Sequence, residues 1–445
     1  MEKLEIYLRH SWFRSAYAIA FVIAFLLLST ILESCTDHCE VKQSYIYYEP
    51  VYQALDEIRS SVKQQEPVAI TSVGKIYVKD NHLFVNQPGK GIHVIDNGDP
   101  SHPVVKSFIN IPGNYDIAIE GNTLYADSYI DLVTIDISDV GNIRETGRLK
   151  NIFDNYNSLG FGVDAERGLM VDLVAKPQVT VSTTDCDAQL QTWGGIYYED
   201  GVAFALTSNF DKSAAIAPGN GSGPGVGGSM ARFTIAKNYL YALNSSNIVP
   251  IDISSPRQPS AKSPFALTLG IETLFPYSNH LFIGSNSGMY ILDISQPEAP
   301  AKISTYEHVR SCDPVVVEGN YAYVTLRSGT TCQGFTNQLE VIDIKDLSTP
   351  QLLKTYPMTN PHGLGIDNGT LFICDGDDGL KVFDASDISS IDSHELAHYK
   401  DIHAYDVIPL NDLLILIGND GIFQYDYSDK SNIKLLSKIN VVQEN

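Results

Sequence analysis

Nine polar residues recur with the period of a sequence repeat: Lys75, Tyr115, Asp116, Arg232, Glu272, Asp313, His362, Tyr405 and Asp406. They stand at or beside the starts of short apolar stretches such as "IAI", "VVV" and "FTI". Gathered at one end of a channel, they would set both signs of charge, two tyrosines and a histidine around a polar ligand. The carboxylates could then serve as acids or bases. The competing reading is a solvated funnel whose charges face one another and trapped water. No other histidine falls at the aligned positions, so a multi-histidine metal site is not indicated. No cofactor motif appears.

Other motifs weaken on inspection. "CDGDDG" (374–379) places Asp375, Asp377 and Asp378 out of the alternating order of a calcium loop, and reads as a tight turn. "GSNSG" (284–288) has Asn where a nucleophile elbow needs Ser, and lacks a strand–turn–helix context. The Gly-rich "APGNGSGPGVGGS" has no following Lys-Ser/Thr, so it reads as a surface loop rather than a phosphate loop.

The elements that must position the nine residues are legible in a second repeat. An Asp closing a "VID"-like stretch recurs at Asp96, Asp136, Asp252, Asp293, Asp343, Asp384 and Asp426, at intervals of 40, 116, 41, 50, 41 and 42. One period, "YDIAIEGN", "TLYADSY", "DLVTIDISD", "IRETGRLK", reads as four short strands punctuated by turn residues. Four strands in about forty residues is a β-propeller blade. Each Asp should accept a backbone N–H two residues on and fix the turn after the third strand. The long interval holds "SLGFGVDAERGLMVDLVAKPQVTVSTT" (158–184), which reads as three degenerate strands, followed by an insertion at about 185–229. The expectation is all-β: a single closed propeller of eight blades, seven clear and one degenerate, with seven as the alternative. "YYEPVYQALDEIRSSVKQQ" (47–65) spaces Val51, Leu55, Ile58 and Val62 as a short amphipathic helix that packs on the propeller.

Composition narrows the partners. The 445 residues carry 30 basic and 53 acidic side chains, a net charge of −23. Such a surface repels phosphate backbones and anionic bilayers, so nucleic acid is excluded and any membrane link is covalent or hydrophobic.

The first 35 residues supply such a link. Lys3, Arg9 and Arg14 precede an apolar run, Ala16 to Leu32, ending at Leu32-Glu33-Ser34-Cys35. This resembles a bacterial lipobox with Cys35 as the acylated residue, Glu33 departing from the usual small or β-branched type. The following "TDHCE" is similar to the export signals of surface lipoproteins of Bacteroidota. An uncleaved anchor is the alternative. Both place the domain beyond the inner membrane, where disulfides form. Cys312 and Cys332 flank one strand pair and are the bridge candidates, closing a loop for ~3 kcal/mol. Cys374, in the apolar "LFIC", reads as a buried thiol; Cys39 and Cys186 are unassigned, and no CxxC pair occurs. The division is then a signal peptide over 1–35, a linker with the helix over 36–66, and the propeller over 67–445.

"GKIYVKDNHLFVNQPGKGIHVIDNGDPSHP", "INIPGNYDIAIEGNTLYADSYIDLVTIDISD" and "GLGIDNGTLFICDGDDGLKVFDASD" resemble the LVIVD-repeat lipoproteins of Bacteroidota over about residues 68–442. The resemblance implies a β-propeller at the cell surface, in the outer membrane, and brings no catalytic residues. The expected role is a lipid-anchored binding or scaffold module meeting a protein or glycan partner. The alternative is an enzyme acting on a sugar or other polar substrate at the channel mouth.

Overall fold

The computed structural model describes residues 41–153, 163–175, 179–183, 196–199, 202–206, 232–244, 246–267, 271–285, 288–307, 314–328, 336–419 and 421–442. The chain divides into two compact units. One joins Met1–Val51 to Asp172–Phe210; the other joins Tyr52–Val171 to Asp211–Asn445.

Among the described residues, the second unit holds seven antiparallel sheets in which strands consecutive in the chain lie side by side; five have four strands and two have five. Their first strands are Ile76–Lys79, Ile117–Glu120, Phe233–Ala236, Ile271–Tyr277, Val315–Glu318, Leu364–Asp367 and Ala404–Leu410. The second sheet runs Ile117–Glu120, Thr123–Ser128, Asp131–Asp136, Arg144–Leu149, close to the four strands read from the sequence. The turn after the first strand needs left-handed backbone, and positive φ falls on Asp80, Gly121, Asn238, Ser278, Gly319, Asn368 and Asn411.

The turn after the third strand behaves as its Asp requires. Oδ1 of Asp96, Asp136, Asp252, Asp293, Asp343, Asp384 and Asp426 accepts the backbone N–H two residues on at 2.7–3.1 Å. These carboxylates fix turns and are not placed for catalysis.

Apolar side chains join each sheet to the next. Ile117 and Ile119 share a cluster with Tyr77 and Phe84 on one side and Phe233 and Ile235 on the other. The pattern continues to the seventh sheet, where Ile408 and Ile415 pack with Ile76 and Leu83 of the first. Burying one such Ile or Leu stabilises by about 1.5–3 kcal/mol. Hydrogen bonds repeat the link. Tyr356 Oη donates to Ile388 O, Ser304 Oγ to Leu347 O, and Ser437 Oγ of the seventh sheet to Pro100 O of the first.

Among the described residues seven blade-like sheets form, the number kept as the alternative to eight; five have four strands and two have a fifth. Residues 158–184 do contribute strands, Val163–Asp164, Gly168–Ala175 and Val179–Thr183. These join a different, six-stranded sheet with Val41–Gln53, Ile196–Glu199 and Val202–Leu206. The helix, expected over 47–65, is only Leu55–Ser60. Its flanks are strands: the Tyr- and Val-rich stretch up to Gln53, and Lys63–Gln65, which adds a fifth strand to the first sheet beside Val104–Asn110. The helix does pack on the second sheet: Ile58 meets Ile130, and Arg59 Nε donates to Asp131 Oδ2 at 2.8 Å.

Candidate functional site

Eight of the nine residues stand at or just ahead of the starts of first strands; Asp313 lies outside the described residues. Lys75 and Asp116 precede two neighbouring strands, and their side chains meet: Lys75 Nζ lies 2.7 Å from Asp116 Oδ2, both residues 2 % exposed. The backbone N–H of Arg232 donates to the same oxygen at 3.0 Å, and that of Ile117 to Oδ1 at 2.8 Å. Burial pulls the Lys75 ammonium below its ordinary range and pushes the Asp116 carboxyl above its own. With three donors on its carboxylate, Asp116 is a structural ion pair rather than an available acid. Asp406 is buried beside Gly363, and its charge is felt by both Lys75 and Cys374. Asp116 therefore ties together the entries of the first, second and third sheets.

Tyr115 is held from behind. Asp127, at the end of the second strand, accepts the N–H groups of Tyr115 and Asp116 at 2.8 and 2.9 Å and the Asn114 amide at 2.7 Å. The sixth sheet repeats the device. Fully buried Asp375 accepts Thr359 N at 3.1 Å, Asn360 N at 2.6 Å and Lys381 Nζ at 2.5 Å, fixing the loop that leads to His362. "CDGDDG" is indeed a turn, between Thr370–Cys374 and Leu380–Asp384. Gly379, at φ 85°, lies so close to the Tyr399 carbonyl that a side chain would collide with it. Cys374 is buried as read, and burial raises its thiol well above the usual range.

His362 and Tyr405 come together with ring centroids 5.2 Å apart. Two residues absent from the alignment join them: Arg327, whose Nη1 lies 2.7 Å from His362 Nδ1, and His403, whose ring is 4.7 Å from that of Tyr405. Burial, then the charges of Arg327 and His403, push His362 down to about 3. His403 sits two positions ahead of an aligned residue. Arg327, Asp127 and Asp375 lie at second-strand ends, where polar residues in an apolar strand were the available signal. The Glu272 side chain, Asp313, and the cysteines 35, 39, 186, 312 and 332 lie outside the described residues, as does the Gly-rich loop. Among the described residues, no group of three or more His, Cys, Asp or Glu could hold a metal ion.

Four stretches of the chain, residues 72–110, 114–150, 277–308 and 310–358, match the LVIVD repeat. No curated protein matches. Among solved structures the chain is similar to the computationally designed Ika8 protein, with 12% identity, a TM-score of 0.48, and 86% of this chain and 90% of that one covered. It is also similar to BamB from Moraxella catarrhalis, with 11% identity, TM-score 0.46, and 86% and 91% covered. A third is Hsv2 of Kluyveromyces lactis, with 9% identity, TM-score 0.47, and 84% and 100% covered.

Proposed function

We propose that this chain is a lipid-anchored binding or scaffold module at the bacterial outer surface, its domain a closed propeller of seven blades. The observation that carries the module is the meeting of three repeats at the strand-entry end: Lys75 pairs with Asp116, and the backbone N–H of Arg232 donates to the same carboxylate. Closure rests on the packing of Ile408 and Ile415 against Ile76 and Leu83, and on the bond from Val442 N to Ile70 O at 2.8 Å. The ligand meets the mouth at this end, and the class favoured is a glycan or a protein partner. The saturation of Asp116 favours binding over catalysis. Anchoring rests on the sequence ending at Cys35 alone, and a Cys312–Cys332 bridge on their spacing.

A thermal-shift screen of the detergent-solubilised chain against glycans tests the module. A hit whose shift is lost in Arg232→Gln or Tyr405→Phe supports a mouth site; hits that survive both changes place binding elsewhere. Cys35→Ala should leave an uncleaved precursor or release the protein from the membrane fraction. A mature protein beginning at Met1 without acyl mass sinks the lipid anchor, and non-reducing peptide maps with both thiols free sink the bridge.

A further inference from the structure

The loop after each turn Asp keeps one backbone geometry in all seven sheets. The sixth residue after the Asp donates its N–H to the carbonyl three positions earlier, from His102 to Asp99 in the first sheet through to Asn432 and Asp429 in the seventh, at 2.8–3.2 Å. The next residue is Pro103, Pro259, Pro300 and Pro350 in four sheets, but Ile143, Ile391 and Ile433 in the other three. Proline has no N–H to satisfy, whereas isoleucine has one. Each of these three N–H groups is met by a side chain from the outer edge of the preceding sheet. Ile391 N donates to Tyr356 Oη at 3.1 Å, Ile433 N to Tyr399 Oη at 2.9 Å, and Ile143 N to Gln64 Oε1 at 2.8 Å.

The glutamine stands in for a tyrosine. Tyr356 and Tyr399 pair with Leu339 and Leu380 of their third strands; the residue so placed in the first sheet, opposite Ile92, is Ile109. Ile109 cannot accept a hydrogen bond through its side chain, and Gln64 pairs with it from outside, on the strand Lys63–Gln65. The Gln64 amide repeats the bonds of the hydroxyl. Its Nε2 donates to Val140 O at 2.8 Å, as Tyr356 Oη donates to Ile388 O, both carbonyls lying four residues after a turn Asp. Nε2 also reaches Ser107 Oγ at 2.9 Å. The second sheet's loop is therefore completed by a residue from ahead of the first sheet.

The segment that carries Gln64 is fastened lightly. Arg59 reaches Asp131 through Nε at 2.8 Å and Nη2 at 3.1 Å, and Asn151 Oδ1 at 3.1 Å; Asn110 Nδ2 donates to Ser61 O at 2.8 Å. Of residues 55–65 only Ile58 is buried. Few buried apolar contacts and polar fasteners near solvent mark a unit that opens below the global unfolding free energy. We propose that residues 55–65 form a strap that lifts from the first two sheets as one unit while those sheets stay folded, with Gln64 as its pin. Lifting bares the Val104–Asn110 edge and frees the Ile143 N–H, so the outer side of this junction has a closed and an open form. The strap is independent of what meets the mouth.

The test is hydrogen–deuterium exchange of the detergent-solubilised full chain, read residue by residue by electron-transfer fragmentation. Relative to intrinsic rates, Ile143 should exchange roughly tenfold or more faster than Ile391 and Ile433, because its acceptor leaves with the strap. Arg59→Gln, which loosens the strap at Asp131 and Asn151, should speed Ile143 by roughly tenfold again and leave Ile391 unchanged. Gln64→Ala should remove the protection of Ile143. Ile143→Pro, the residue four other loops use, deletes the N–H; in that background Gln64→Ala should lower the melting temperature by less than it does in the parent. The melting temperature of each variant reports its folding. Ile143 exchanging as slowly as Ile391 and Ile433, or only together with the sheet amides of Val94 and Val133, overturns the strap. So does an unchanged Ile143 in a folded Arg59→Gln. An equal cost of Gln64→Ala in both backgrounds overturns the role of Gln64 as the pin.

Discussion

Gln424 of the seventh sheet and Asn97 of the first stand 327 positions apart and exchange two side-chain hydrogen bonds, both of 2.8 Å. Both amides are buried, at 0 % and 7 % exposure. A reciprocal amide pair satisfies a donor and an acceptor on each partner, so it tolerates little displacement between the sheets.

Asn97→Ala should therefore cost more than a surface hydrogen bond, because it strands the Gln424 amide. The expected loss is about 1–3 kcal/mol, and the double variant with Gln424→Ala should be less destabilised than the two single changes summed. Urea denaturation of the four proteins measures this. Strict additivity would mean the pair contributes nothing to joining the first and last sheets.

The Lys75–Asp116 pair makes a second prediction. Lys75→Met leaves a buried carboxylate with backbone donors but without its paired ammonium, and the cost expected is about 3–5 kcal/mol. Lys75→Met with Asp116→Leu removes both charges and should recover much of that loss. Equilibrium unfolding decides. A single change within error of the parent would show that Asp116 is neutral in the folded protein.

Much of this was legible in the sequence, for a physical reason. The turn Asp is a local device, since its partner lies two residues away, so seven copies could be read as turn formers without knowing the fold. The apolar period gave the four strands of each repeat. The choice between eight blades and seven stayed open because strand character is local while sheet membership is not. Residues 168–175 have the alternation of a blade, yet pair in a sheet with residues 41–53, from beyond the helix. At the site, Lys75 and Asp116 were found by aligning repeats. Arg327 and His403 were missed because their positions depend on how one repeat's second strand ends against the next repeat's entry loop, a contact no periodicity encodes.

Acid should destabilise the protein in two stages. His93, fully buried with Nε2 3.0 Å from Gln87 Oε1, is pushed by burial down to about 4, and His362 to about 3. Both are held below the unfolded histidine value of about 6.5. The unfolded chain therefore takes up protons first as pH falls below that value, and stability declines until each folded group titrates. Turn aspartates follow: hydrogen bonds from Ser389 and Ser390 hold Asp387 at about 2, so its contribution is present above the unfolded value near 4 and lost toward pH 2. Thermal melts from pH 7 to 3 should show the decline beginning near pH 6.5. In His93→Gln the slope between about pH 6.5 and 4 should flatten; an unchanged slope would show that His93 does not carry it.

The last prediction concerns the outer edges. In six of the seven sheets the fourth strand carries one extra residue at the same step, opposite the two residues that precede the turn Asp. These are Lys106, Thr146, Ile303, Leu353, Leu396 and Leu436. In the third sheet the fourth strand is broken instead, into Ser260–Ala261 and Phe265–Ala266, with Pro264 between. Each of these fourth strands is thus interrupted; all but that of the first sheet, beside which Lys63–Gln65 pairs, end their sheets, and some carry bare apolar side chains, such as Leu352 at 46 % and Leu435 at 56 % exposure. A bulge twists an edge strand and spoils its register as a template for another chain. Deleting Leu353 restores a regular ladder beside Leu352 and should favour edge-to-edge pairing. Light scattering on concentrated protein should show association in the deletion variant at concentrations where the parent stays monodisperse. Leu353→Lys, which keeps the bulge, should not associate. Association in both, or in neither, would remove the protective role of the bulge.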